Sequence, residues 1–323
     1  MEQLRQRIAK VKKAFMQISH WFASRIHGIR LIVILAAVVW LAFGLMAISF
    51  SGLGTTSEVG TGGLPLSVSD LSAVPQSVAE DAVRLATELF GDSQEKCDSF
   101  VNQLLATYSK AEDKDFIILF NPGGWGWNPV EHSPEWWSIS TGVKSELDSS
   151  GYASLVLNYQ RTLDTLRGHL NELVEMMTGY SSKAKDLACR VEFLTSHNAD
   201  LKIILAGESN GAIICDRAMS ILEDNPQVYS IQTGPPFWHK NAVLDRTLVL
   251  TDNGIIPDSF SQGDFPTMIW ANLKSVLGLS KSEDSSGKIL RYVEAPGHQY
   301  RWQYPEVYSQ IRNFLDENFK TKW

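Results

Sequence analysis

The stretch Lys202-Ile203-Ile204-Leu205-Ala206-Gly207-Glu208-Ser209-Asn210-Gly211-Ala212-Ile213-Ile214-Cys215 decides how the chain is read. Its first five residues are an apolar run of strand length, and a helical pattern starts at Asn210 and continues to about Leu222. Only the pentapeptide Gly-x-Ser-x-Gly joins the two. A turn that sharp forces its serine into strained backbone angles, and the flanking glycines leave room for the turn and for helix–strand packing. A serine held there stands at the end of a strand with its hydroxyl free to act as a nucleophile.

Outward from this point, strands and helices alternate. Phe116–Phe120 and Ala153–Asn158 read as strands before it, and Val228–Ile231, Thr247–Thr251 and Ile289–Val293 as strands after it. Helical patterns fill Val78 to Ser109 in two segments, and Thr162 to about Ser196 in two pieces around Gly179. Another closes the chain over Pro305–Phe319. Apolar strands between amphipathic helices predict an α/β domain over 80–323, a mostly parallel sheet flanked by helices.

The pentapeptide in its strand–turn–helix setting resembles the α/β-hydrolase superfamily, nearest its lipase, cutinase and esterase branches, over roughly residues 115–320. The resemblance implies an oxyanion hole, an acid and a histidine, with serine, acid and histidine in that chain order. Asn121-Pro122-Gly123-Gly124-Trp125 follows a strand and looks like the His-Gly-Gly loop of those enzymes, with Asn-Pro in place of His. Gly123 and Gly124 are its candidate oxyanion residues, together with Asn210 after the serine. His298 follows the last strand, where the superfamily keeps its general base; Tyr300 and Trp302 stand beside it as candidate site walls. For the acid the sequence departs from the family pattern, since Gly254 holds the position of the usual Asp. Asp252, at the strand tip, is the first candidate, Asp258 beyond Pro257 is the alternative, and Asp264 is a more distant third. Either Asp252 or Asp258 can equally cap an Asx-type turn.

The implied chemistry is acyl transfer from an ester to water by Ser209, His298 and an Asp, with no metal or organic cofactor. Trp125, Trp127, Phe237 and Trp238 lie in loops after strands and are candidates to line an acyl-binding cleft. Only 12 residues separate Thr233 from Arg246, too few for a large lid. Arg161, at a strand end, reads as structural. A thioesterase or peptidase on the same fold, or a catalytically silent scaffold domain, are the competing functions.

The N-terminus adds a second theme. Leu31–Phe50 is a 20-residue run without a charge, Pro, Asn or Gln, long enough for a membrane span. Residues 1–30 carry seven Lys or Arg against one acid, and the remaining chain is net acidic, with −7 overall. The positive-inside rule then puts the N-terminus in the cytoplasm and the large domain outside. A cleaved signal peptide is the alternative, but its apolar core is shorter, about 7–15 residues. The apolar positions Leu4, Ile8, Val11, Phe15, Ile18, Phe22 and Ile26 suit a basic amphipathic helix on an anionic leaflet, or a short coiled coil. Residues 51–79, rich in Gly, Ser, Thr and Pro, read as a flexible linker. The acidic balance argues against nucleic-acid binding, and three Cys without a CxxC pair exclude a disulfide framework or a zinc ribbon. Cys97 and Cys189 are the pair that an oxidising compartment could join.

Overall fold

A computed structural model of the chain describes residues 58–60, 74–242, 244–279, 287–289 and 293–319. The apolar run Leu31–Phe50 and the basic segment before it lie outside these residues. Among the described residues no helix is long and apolar enough to cross a membrane.

The elements run β1 (Glu58–Gly60), α1 (Gln76–Phe90), α2 (Gln94–Ala111), β2 (Phe116–Asn121), α3 (Pro134–Ser149), β3 (Ser154–Gln160), α4 (Leu166–Met177) and α5 (Ser181–His197). Then come β4 (Lys202–Glu208), α6 (Asn210–Ile221), β5 (Val228–Thr233), β6 (Thr247–Leu250), α7 (Phe265–Val276), β7 (Lys288–Ile289), β8 (Val293–Glu294) and α8 (Pro305–Phe319). The main sheet has the order β1-β3-β2-β4-β5-β6. Every neighbouring pair from β3 to β6 is parallel, and β1 adds an antiparallel edge.

The central strands β2 and β4 look almost uniformly apolar because each of their faces is covered. Ile117, Leu119, Ile203 and Leu205 point into a core built with α1, α2, α5 and α6. Phe116, Ile118, Phe120, Ile204 and Ala206 point the other way, into a core with α3 and α8. With helices on both sides, both faces of β2 and β4 meet apolar surface, so the period-2 alternation of faces is invisible in the sequence of these two strands.

Two expectations need correction. Glu58–Gly60, inside the stretch read as linker, pairs with Asn158–Gln160 of β3, and Val78 is buried, so the folded unit begins earlier than residue 80. Of the strand expected over Ile289–Val293, the described residues Ile289 and Val293 lie outside the main sheet. They belong to the two-rung hairpin β7–β8, and Asn272 of α7 takes both backbone groups of Glu294, supplying what a neighbouring strand would have supplied. Helix α7 itself was not read from the sequence. Its signal is Asp264, whose side chain accepts the Thr267 N–H at 3.2 Å as an N-cap, with Pro266 in the first turn. Cys97, Cys189 and Cys215 are all free thiols.

One tight joint in the domain lies where α6 starts. A Cβ on Gly211 would sit 2.2 Å from the backbone oxygen of Asn121 and 2.9 Å from that of Pro122. Backbone cannot yield as a flexible side chain can. Gly211→Ala is therefore expected to destabilise the domain by about 1–3 kcal/mol, or about 2–4 °C in Tm for each kcal/mol. Thermal unfolding followed by circular dichroism measures this, and an unchanged Tm would mean the contact is looser than described.

Candidate active site

The parallel strands run in space as β3-β2-β4-β5-β6, so the chain winds one way from β2 and the other way from β4. A crevice opens between the carboxyl ends of two such strands, and ligand sites in open α/β sheets form there. Asn121 of β2 and Gly207 of β4 lie opposite each other at that point, each followed directly by its glycine-rich segment.

Ser209 turns the chain from β4 into α6 at φ 50° and ψ −114°. This is positive-φ backbone that a residue with a side chain rarely adopts, at a cost of about 1–3 kcal/mol. The Ser209 N–H donates to the Thr233 carbonyl at 2.9 Å, and the Ala212 N–H donates to the Ser209 carbonyl at 2.9 Å. A Cβ on Gly207 would strike the Ala212 backbone at 2.8 Å, which is why glycine stands there.

His298 sits in the segment after β8, with its ring against Gly234 and Phe260. Its Nδ1 lies 2.9 Å from Oδ2 of Asp258. Asp258 is fully buried and fully bonded. Oδ1 accepts the N–H groups of Phe260 and Ser261, and Oδ2 also accepts the hydroxyls of Tyr300 at 2.8 Å and Ser261 at 2.9 Å. Burial pushes the Asp258 carboxyl up, but the bonds from His298, Ser261 and Tyr300 outweigh it and hold the group below its ordinary value. Burial and the Asp258 charge together push the Tyr300 phenol up, so it stays a donor.

The carboxylate against His298 is thus Asp258 and not Asp252, the first candidate. Asp252 instead caps its own turn, accepting the Gly254 N–H at 2.7 Å. The reason is the loop's path. Asp252 pairs with Pro257 in an isolated bridge, so the chain doubles back and returns Asp258 to the level of the strand tip. Asn253, which belongs to no motif in the sequence, makes this possible. Its Oδ1 accepts the N–H groups of Ile255 and Ile256, while its Nδ2 donates to the carbonyls of Gly297 and Gln299 in the histidine loop. Asp264, the third candidate, is the α7 cap.

The glycine loop is pinned from below. Arg161, fully buried, donates through Nη1 to the Pro122 carbonyl, through Nη2 to the Gly124 carbonyl at 3.1 Å, and through Nε to Glu172 at 2.7 Å. The Asn210 side chain also donates to the Gly124 carbonyl, at 3.2 Å. The Gly123 N–H donates to Oε2 of Glu208 at 3.0 Å, so it is not the free donor expected of it. Among the described residues no protein acceptor meets the N–H of Gly124 or of Trp125. The Asn210 N–H belongs to the first turn of α6, whose amides the helix's own ladder leaves unpaired.

Ser209, Asn210, Gly124, Glu208 and His298 all line one cleft of about 850 Å³. The four aromatic candidates Trp125, Trp127, Phe237 and Trp238 line it as well. Phe237 and Trp238 are about half exposed at its rim, whereas Trp125 stacks on His169 with ring centres 4.7 Å apart. Trp136 is buried and its Nε1 donates to Thr233 at 3.0 Å. Trp302 packs over Gly142 in the wall behind. Among the described residues no group of three or more His, Cys, Asp or Glu is placed to hold a metal ion.

The chain matches no known protein family, and no curated protein matches it in sequence. Among solved structures it is similar to Trichoderma reesei cutinase in complex with a C11Y4 phosphonate inhibitor. The identity is 16% and the TM-score 0.37, over 59% of this chain and 82% of that one. The parallel α/β architecture is read from the strand order, independently of this likeness.

A carboxylate whose folded pKa lies below its unfolded value stabilises the fold above the unfolded pKa, about 3.9 for Asp. That contribution is lost as pH falls through the lowered native value. Asp258 makes such a contribution, and Asp258→Asn removes it. The variant is expected to be the less stable protein near neutrality and to lose less further stability between about pH 4 and 2. Urea unfolding across that range is the check; parallel losses in both proteins would contradict it.

Proposed function

We propose that the chain is a serine hydrolase of the α/β-hydrolase type, cleaving carboxylic esters by acyl transfer through Ser209. One observation carries the reading. A serine strained onto a strand-to-helix turn opens on the same cleft as a histidine whose other face meets a buried, fully bonded carboxylate.

In the proposed reaction Asp258 accepts the Nδ1–H of His298 and so leaves Nε2 as the base. His298 takes the hydroxyl proton while Ser209 Oγ bonds to the ester carbon. The charge on the carbonyl oxygen falls to backbone donors, the Asn210 N–H and those of Gly124 and Trp125, each worth about 3–4 kcal/mol in comparable sites. The imidazolium returns its proton to the departing alkoxide. Water, activated by the same base, then releases the acid. The aromatic cleft lining favours an apolar acyl group. So does the exposed apolar side of α7 beside it, with Phe265, Ile269 and Trp270. Lipids and acylated envelope material are the proposed substrates.

The same proposal includes anchoring. Leu31–Phe50 would span the membrane once, with residues 1–30 in the cytoplasm and the hydrolase domain outside. Protease added to intact cells is expected to remove the domain and spare a short N-terminal fragment. Protection until lysis would reverse the topology.

Ser209→Ala is expected to abolish fluorophosphonate labelling and lower ester turnover by about six orders of magnitude, with the fold kept. Labelling that persists in this variant would refute the proposal. Asp258→Asn is expected to cost about 10⁴-fold in kcat, and Asp252→Asn no more than a few-fold. Both are measured on one activated ester, and a larger loss at Asp252 would return the acid's role to that residue.

A further inference from the structure

Glu208 stands in the variable position of the Gly-x-Ser-x-Gly turn, and the proposed reaction gives it no part. Its placement is specific nonetheless. Oε2 accepts the Gly123 N–H at 3.0 Å, and a Cβ on Gly123 would come within 3.0 Å of the Glu208 side chain. The carbonyl of the same peptide unit, Pro122, accepts Nη1 of buried Arg161. A trans peptide points its N–H and C=O in opposite directions. The Pro122–Gly123 unit is therefore gripped at both ends, by a carboxylate on one side and a guanidinium on the other. Two units further on, the Gly124 carbonyl is held by Arg161 and by the Asn210 side chain, which turns the Trp125 N–H the opposite way.

We infer that Glu208 is a positioning residue: with Arg161 it clamps the Pro122–Gly123 peptide and so sets the direction of the Gly124 and Trp125 N–H groups. The inference rests on the proposed hydrolase reading for its kinetic consequence. A glycine pair has no side chain to settle its peptide orientation, and both Gly124 and Gly126 lie at positive φ. The loop's own turn bond, from the Gly126 N–H to the Gly123 carbonyl at 3.1 Å, holds only the next unit, so the direction of the Pro122–Gly123 unit ahead of it rests on Glu208 and Arg161. Glu208 is attached to the residue that carries the nucleophile, so the clamp registers the loop directly against Ser209. Fixed donors aimed where charge develops are the part of such a site that cannot reorganise during the reaction. Burial is the largest influence on the Glu208 carboxyl and raises it, while the Gly123 N–H opposes that rise. The groups around it are Glu135, His298 and Arg161.

The test uses the full chain with Glu208→Ala and Glu208→Gln, active sites titrated with a fluorophosphonate. The Gln carbonyl can accept the same N–H; Ala cannot. Expected for Glu208→Ala is a fall in kcat of about 10–100-fold with KM within about three-fold, because a misplaced group costs about that much. Glu208→Gln should restore most of the turnover. Hydrogen exchange of the 121–126 segment should quicken in the Ala variant and stay slow in the Gln variant. Unchanged kcat in Glu208→Ala, an equal loss in both variants, or unchanged exchange in Glu208→Ala would each overturn the clamp. If the unaltered protein hydrolyses no ester, the proposed function fails by itself, and the exchange measurement alone decides the clamp.

Discussion

The site depends on one backbone constraint, the reversal from β4 to α6 within a single residue. Ser209 meets it at positive φ. The strain persists because the surroundings over-determine it: Thr233 holds its N–H, Ala212 holds its carbonyl, and Gly207 and Gly211 allow the helix to close against strand and loop. Relaxing the turn would pull α6 away from the backbone of Asn121 and Pro122. The serine and the glycine loop are thus two sides of one contact, and neither can move without the other.

Arg161 is the second constraint. A guanidinium with no exposure is costly unless each of its nitrogens finds an acceptor. It finds Glu172 on α4 and two carbonyls of the glycine loop, and the Arg161 N–H itself donates to the Gly126 carbonyl. Thr162 adds a bond to the Trp125 carbonyl at 2.6 Å. The end of β3 therefore serves as a bracket for the loop after β2. Removing one partner of such a buried pair typically costs about 3–5 kcal/mol, so the bracket is as much a part of the core as Ile118 or Leu205.

The histidine and acid loops are held differently, by lacing rather than by a rigid element. Asn253 donates to two carbonyls of the histidine loop, and Ser259 donates from both N–H and Oγ to Pro296. Gly297 lets the two backbones approach so closely that a Cβ there would meet the Pro257 oxygen at 2.2 Å. The order of the pair comes from these cross-links, since β7 and β8 contribute only two residues each.

The fold class and the turn at Ser209 were legible in the residues themselves, as apolar runs and a glycine spacing. The glycine loop and His298 were singled out through the family resemblance that those residues carry. The partner of His298 was not legible, because the path of a loop is fixed by remote contacts. The bridge from Asp252 to Pro257 and the amide of Asn253 decide which aspartate returns to the strand tip, and neither follows from local spacing. The same holds for Gly123, whose N–H is claimed by a glutamate 85 residues away in sequence. The separate hairpin β7–β8 belongs here too, since Asn272 competes successfully for its edge. Sequence determined which elements form, because burial and backbone preference act over a few residues. Tertiary structure alone decided which polar groups meet, because a hydrogen bond is settled by where two distant segments come to rest.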